Sequence, residues 1–303
     1  MTCRICNYAL NDEVLVVKEK MFGTNELFEY RACSVCGCIQ IKSVPPVLNK
    51  YYPDNYYSFE NQSGIKFKNL IKQKVRNFLS FIEGDFHREP YFTGFGIKYS
   101  DKNSSILDIG CGNGKLLRAL RSYGFMNLTG TDPFIGNGLY LKGLKLLKLD
   151  LENLDGKYDL IMSNHSLEHM PDPHSFFANV VRLLDHKGRL ILRIPVYPNY
   201  ITDKYGLDWI QFDAPRHLFT FTLKSIRFLC NKHGLFIEDL KFDSAPWALA
   251  ATEYCQNGKT LKEFEQNISV TEEQVKACRE ANEKGYGDSV CLAIVKQNPD
   301  RYN

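Results

Sequence analysis

"SILDIGCGNGKLL", residues 105–117, runs an apolar strand directly into three glycines at alternate positions, Gly110, Gly112 and Gly114, and then into a helical pattern. Glycines are spaced this closely where the backbone turns sharply or approaches another group closely. A dinucleotide fingerprint, G-x-G-x-x-G, would need its third glycine at Lys115, and no G-K-[ST] ending marks a phosphate-cradling loop. The loop is therefore expected to serve a ligand lying flat against the backbone, with a polar group near Asp108.

Downstream, strand and helix patterns alternate. Strands are expected at "SILDIG", "NLTGTD", "LKLLKLD", "YDLIMSN", "GRLILRIP", "LFIEDLKF" and "SVCLAIVK". Helices are expected after the glycine loop, at "DPHSFFANVVRLL" and at "TLKSIRFLCNKHG". Such alternation predicts an α/β fold, a mostly parallel seven-stranded sheet with helices on both faces. Ligands of these sheets bind beyond the carboxyl ends of the strands, where the strand order reverses. Two further acids stand at such ends. Asp132, in "LTGTDPF", ends the second strand at about the distance from the loop where nucleotide folds place a ribose-binding carboxylate. Asp150 ends the third strand, placed to accept from an adenine amino group beside the Leu151 backbone. Each acid alone reads equally well as a helix N-cap; three at successive strand ends do not.

Upstream, Cys3-x-x-Cys6 and Cys33-x-x-Cys36 form two short-spaced pairs joined by an alternating segment. A C-x2-C turn presents two thiolates to one ion, so two such knuckles predict a zinc-ribbon-like module with structural zinc. Cys38 is a spare sulfur; keeping the x2 spacing makes Cys36 the ligand and leaves Cys38 to pack. A proline- and tyrosine-rich connector follows, with Tyr51, Tyr52, Tyr56 and Tyr57 as packing anchors or the rim of a substrate pocket. It leads to an amphipathic helix near residues 65–82, with Ile65, Leu70, Ile71, Val75, Phe78 and Leu79 on one stripe. The expected divisions are 1–44, 45–100 and 101–303, the last carrying a helical insertion at about 246–287 that serves as a lid or an oligomer contact.

The bulk composition excludes several classes. The 303 residues are 44% hydrophobic with a net charge of +3, too mild to advertise nucleic-acid binding or an anionic membrane surface. No run of apolar residues is long enough for a membrane span, and "MTCRICNYALNDEV" lacks the pattern of a secretory signal. Ten cysteines without such a signal point to a reducing, cytoplasmic setting.

"ILDIGCGNG", "GTDP", "LDLENL" and "YDLIMSNHSLEHMPDPHSFFANVVRLLDHKGRLILRIP" together resemble the class I S-adenosylmethionine-dependent methyltransferases, with their Rossmann-like sheet, over roughly the second two-thirds of the chain. "SLEHMPDP" resembles the branch of ubiquinone-type O-methyltransferases. The whole layout, with its cysteine module, "YY…YYS" connector and "DAPRHLFTFT" segment, looks still more like methyltransferases of bacterial polysaccharide and deoxysugar gene clusters. The resemblance implies that Asp108, Gly110, Cys111, Gly112 and Gly114 hold the methionine end of S-adenosylmethionine. It implies that Asp132 and Pro133 meet the ribose, Asp150 and Leu151 the adenine, and Asn164 the floor beside the sulfonium. The implied acceptor is a small molecule, a nucleotide-linked sugar or glycan.

Methyl transfer to a hydroxyl or an acidic carbon needs alignment and a base, and histidine is the natural choice near neutral pH. His165 and His169 follow the fourth strand, and His217 lies in the long excursion between the fifth and sixth. We expect these three to border the acceptor, with Arg216 beside His217 able to hold a phosphate or carboxylate. His169 is expected to buttress its loop, sharing a face with His165 if that segment is helical. "HSLEH" departs from the H-E-x-x-H metal pattern, so no catalytic zinc is expected there. His87, His174, His186 and His233 read as helix ends or solvent. The alternatives are an RNA methyltransferase gripping nucleic acid through its zinc module, a quinone O-methyltransferase, and a non-catalytic binding module. A mild charge and "SNHS" where an N-P-P-Y type motif would stand weigh against the first; intact Asp108, Asp132 and glycines weigh against the last.

Overall fold

A computed structural model describes residues 1–52, 100–256, 258–266 and 268–297. The expected amphipathic helix at 65–82, together with Tyr56, Tyr57 and His87, lies outside the described residues.

Two sheets organise these residues. The small one holds β1 (Leu15–Lys18), β2 (Leu27–Ala32), β3 (Ile39–Ile41) and β10 (Phe219–Thr220), in that order and antiparallel throughout. The large one holds β4 (Ile106–Ile109), β5 (Leu128–Thr131), β6 (Leu139–Leu141), β7 (Leu144–Leu147), β8 (Tyr158–Asn164), β9 (Leu184–Pro195), β11 (Leu235–Phe242) and β12 (Ser289–Lys296). Its order is β11-β12-β9-β8-β4-β5-β7-β6. The pairs of β4 with β5 and β8, β5 with β7, and β8 with β9 are parallel. All seven expected strands are present. An eighth, β6, joins antiparallel at the edge through a hairpin turning at Gly143, which has φ +79°. The sequence reading missed it because three residues, two of them exposed, carry no burial pattern.

From β4 the chain builds outward through β5 and β7, then returns to lay β8 and β9 on the other side. The reversal lies between β4 and β8, beside the glycine loop. The four residues of β4 and of β5 are buried, as a strand covered on both faces requires.

Local sequence sets the helices. α1 (Lys115–Ser122) starts at Gly114 and buries Leu117 and Leu120. α2 (Pro173–Leu183) begins with Asp172 accepting from the His174 and Ser175 backbone, and has Pro173 in its first turn. The short α3 (Tyr200–Tyr205) and α4 (Leu223–Lys232) both start in capping boxes, at Asn199 and Thr222. The insertion is helical, with α5 (Pro246–Cys255), α6 (Leu261–Gln266) and α7 (Glu272–Glu283). Among the described residues no helix is long and apolar enough to cross a membrane.

The cysteine module shares a core with the large sheet. β10, from the excursion after β9, completes the small sheet, and one apolar cluster runs from Cys3, Ile5 and Ile39 through Phe219 and Phe221 to Phe177 and Leu192. Polar contacts follow the same seam. Tyr30 Oη donates to the His217 carbonyl at 2.9 Å and Thr222 Oγ1 to the Cys36 carbonyl at 2.6 Å. A sequence boundary at residue 44 therefore does not separate two cores.

Candidate active site

The glycine loop joins β4 to α1 over Gly110–Gly114 with left-handed backbone at each glycine, φ 73°, 50° and 74°. A Cβ on Gly110 would stand 2.2 Å from Ser166 Oγ, and one on Gly114 2.5 Å from Leu146. The loop is thus pressed between β7 and the segment after β8, where no larger residue fits. Cys111 is buried against Gly130 on the neighbouring strand.

Asp108 and Asp132 are both buried at the carboxyl ends of adjacent strands. Burial, and then the charge of Asp132, push the Asp108 carboxyl up to about 7. Burial also raises Asp132, against the Phe134 and Gly112 backbone donors that it accepts from at 2.8 and 3.0 Å. These two buried carboxyls beside the glycine loop make an acceptor set that suits a ligand with one cationic end and a diol, which is the chemistry of S-adenosylmethionine. Pro133 follows on the same turn. Asp150 is exposed at the start of a 3-10 turn over Leu151–Asn153, at the same end of the sheet; the Leu151 carbonyl accepts from Arg182 Nη2 at 3.1 Å. Asn164 ends β8, and its Oδ1 is buried without a partner among the described residues.

Beyond Asn164 the chain turns through His165, whose φ of 46° is left-handed, into a 3-10 turn over Leu167–His169. His165 and His169 therefore do not share a helical face. The turn buries Glu168 completely, and three histidine rings gather round it. His165 Nδ1 lies 3.2 Å from Glu168 Oε1, while His165 Nε2 accepts from Arg193 Nη1 at 2.7 Å; Arg193 in turn donates to Asp243 Oδ2 at 2.6 Å. Arginine only donates, so the proton of His165 sits on Nδ1 and points at Glu168. Both ring nitrogens of His165 are thus engaged. Burial pushes the Glu168 carboxyl up, but the His165 hydrogen bond and the neighbouring rings outweigh it and hold the group at about 2.

His217, expected at the acceptor, is buried behind His169 with ring centroids 4.5 Å apart, and its Nδ1 lies 2.7 Å from the Gln211 carbonyl. His169, expected only to buttress, is half-buried, as His165 is, and its ring meets Tyr52 edge-on. Its Nδ1 lies 3.1 Å from both the Arg216 carbonyl and the Tyr52 hydroxyl, and Tyr52 stacks on Phe134 next to Asp132. Burial and the His217 ring lower His169 to about 4, so it is neutral across the physiological range. The two expectations exchange places because His217 is carried inward by its carbonyl anchor.

Arg216 also departs from expectation. Its guanidinium is fully buried, donating to Glu19 at 3.0 Å and to Asp213 at 2.6 Å, so it faces the cysteine module and is not available to a substrate phosphate or carboxylate. Tyr52 alone of the connector tyrosines lies at the site among the described residues; Tyr51 packs on Phe28. His174 and His233 pair at 3.0 Å, and His174 Nε2 meets the Ile5 carbonyl at 2.7 Å, so these rings brace the first knuckle. Sequence reading passed over Arg193, Asp243 and Phe134. Arg193 and Phe134 lie inside quoted stretches, in "GRLILRIP" and "LTGTDPF", but were given no role there, and Asp243 lies just past the end of β11.

Cys3, Cys6, Cys33 and Cys36 bring four buried sulfurs within 4.8 Å of one another. Left-handed Asn7 and Gly37 close the two knuckles in the same way, each donating its N–H to the carbonyl of the first cysteine. A hydrogen bond from Cys36 draws the Cys3 thiol down to about 5 while pushing Cys36 up, the behaviour of sulfurs too close to ionise together without a cation. The buried Cys38 stands outside the four.

Comparison with known proteins gives four matches. The family described as "Methyltransferase domain" matches residues 88–240. Polyketide synthase ThaQ of Burkholderia thailandensis is 30% identical over 112 residues, which are 32% of this chain and 5% of that protein, so the chain spans only a small part of that relative. Among solved structures, the cyclopropane synthase MmaA2 of Mycobacterium tuberculosis is similar at 17% identity, covering 64% of this chain and 78% of that one with a TM-score of 0.43. The 1,6-didemethyltoxoflavin-N1-methyltransferase of Burkholderia thailandensis is similar at 13% identity, covering 79% and 93% with a TM-score of 0.44.

Proposed function

The chain belongs to the methyltransferase-domain family and is an S-adenosylmethionine-dependent methyltransferase, and from that premise we propose that its acceptor is a small molecule, a nucleotide-linked sugar or glycan methylated at a hydroxyl or carbon. S-adenosylmethionine supplies, when bound, a sulfonium-activated methyl group. Asp108 with the loop Gly110, Cys111, Gly112 and Gly114 would hold its methionine end. Asp132 and Pro133 would hold the ribose, Asp150 and Leu151 the adenine, and Asn164 would line the floor.

The observation that carries the cofactor half is the pair of buried acids flanking the left-handed glycine loop. The acceptor half rests on the residues that follow Asn164. His169 meets Tyr52, with Glu168, His217 and His165 packed round it; its lowered pKa would keep the ring unprotonated and free to take the acceptor proton, and the Glu168 carboxylate would offset the charge it gains. Ser163 Oγ, Asn164 Oδ1, Asp243 Oδ1 and Asp288 Oδ1 are buried without partners among the described residues, on or near β8 and the ends of β11 and β12. Unpaired buried oxygens suit a ligand with many hydroxyls. The resemblance of the overall layout to sugar-cluster methyltransferases points the same way.

The four thiols fit a structural zinc ion, and residues 1–44 would be its module, 45–100 the connector and 101–303 the catalytic unit, set in a reducing cytoplasm. The test is a turnover screen of nucleotide-linked sugars, quinols and RNA with labelled S-adenosylmethionine. Label in a sugar supports the reading, and label only in RNA or quinol overturns it.

A further inference from the structure

We propose that Glu168, His169 and His217 form a binding site for a divalent transition-metal ion, through which the cluster activates the acceptor. This rests on the reading that the acceptor lies at His169. The three side chains each bring one possible ligand atom to within 4.8 Å of the others. A carbonyl can only accept, so the contacts of Nδ1 with the Gln211 and Arg216 carbonyls fix both rings with the proton on Nδ1. The lone pair then sits on Nε2 in both, and a backbone carbonyl on the other nitrogen is the support that orients metal-binding histidines.

His217 Nε2 faces Glu168 Oε1 and Asp213 Oδ2, each at 3.9 Å. That is too long for a hydrogen bond, and it sets a lone pair against two carboxylates. A cation in the gap removes that repulsion. Glu168 adds a second, independent sign: its Oε2 is completely buried with no partner among the described residues, although His165 holds the other oxygen. Ligands of one tetrahedral ion at about 2.0–2.2 Å stand ~3.3 Å apart, so a modest inward movement closes the set. Two imidazoles and one carboxylate leave coordination positions open, and an acceptor oxygen taking one of them would lose its proton more readily. The motif reading missed this site because "HSLEH" supplies only two of the ligands, and the third arrives on the excursion after β9.

The experiment is a cobalt(II) titration of the full chain carrying zinc on its cysteines, followed in the visible spectrum. A thiolate site shows sulfur-to-cobalt charge transfer; a site of two nitrogens and an oxygen shows only ligand-field bands. We expect a second equivalent of the latter kind, weakened at least about tenfold in both His169→Ala and Glu168→Gln and unchanged in His186→Ala at the surface. His169 is half-buried, so its variant tests the site even if Glu168→Gln fails to fold. No second equivalent at millimolar cobalt, or one that His169→Ala leaves intact, overturns the proposal. S-adenosylmethionine binding is measured on the same samples. Cofactor binding without the second metal sinks the metal site alone, and metal binding without cofactor sinks the functional reading.

Discussion

Arg216 and Glu19 form an ion pair at 3.0 Å with both side chains fully buried, joining the excursion after β9 to the loop that follows β1. Glu19 also accepts from the Phe22 and Thr24 backbones, so one carboxylate organises the turn and neutralises the guanidinium. Removing Glu19 strips the Phe22 and Thr24 backbone donors of their acceptor and leaves the buried guanidinium with Asp213 as its remaining carboxylate. Glu19→Ala should cost about 1–3 kcal/mol in chemical denaturation. A loss below about 1 kcal/mol would show that the pair is not dry.

That pair also marks where sequence reading stopped. Arg216 in "DAPRH" looks like an anion-binding arginine, and nothing within its neighbourhood in the chain reveals Glu19 as its partner. The glycine loop, by contrast, was legible because left-handed backbone and close contact are local demands that only glycine meets. Seven of the eight strands of the large sheet were legible from their apolar residues between turn signals, and α2 from its Asp-Pro start. β6 and β10 escaped, since each is a few residues long and owes its existence to a distant or edge partner. The exchange of roles between His169 and His217 escaped for the same reason: it depends on which backbone carbonyl each ring meets.

Asp132 is expected to carry two charge-assisted hydrogen bonds to the ribose. Asp132→Ala should weaken S-adenosylmethionine by about 2–4 kcal/mol in calorimetry. The variant also loses the Gly112 and Phe134 contacts, so Asp132→Asn should keep part of the loop order and a smaller loss. Unchanged affinity in both would refute the ribose assignment.

Asp108 gives a pH dependence. Its carboxyl titrates at about 7 in the folded protein, against about 3.9 in an unfolded chain. A raised carboxyl contributes stability that is present below about pH 4 and lost as pH rises towards 7. A cationic ligand favours the ionised form, so binding S-adenosylmethionine should release a proton below pH 7, and affinity should climb with pH and level off above it. Calorimetry in buffers of different ionisation enthalpy measures that proton. Asp108→Asn should abolish the release; a wild-type signal in that variant would place the titration elsewhere.

Purified protein should carry one zinc that leaves in step with mercurial titration of its thiols. Cys6→Ser or Cys33→Ser should remove it and loosen the module, exposing the apolar seam with β10. Protein prepared without chelators that holds no thiol-bound zinc would rule out the structural-zinc assignment.

The most direct measurement is the transfer of labelled methyl from S-adenosylmethionine to a panel of nucleotide-linked sugars, followed at saturating cofactor in wild type and in His169→Ala. Label should enter the sugar in wild type and fall by about 10²-fold or more in the variant while cofactor affinity stays the same. Label that never reaches a sugar in a protein that binds the cofactor, or a His169→Ala variant that transfers at the wild-type rate, would contradict the acceptor and its site respectively.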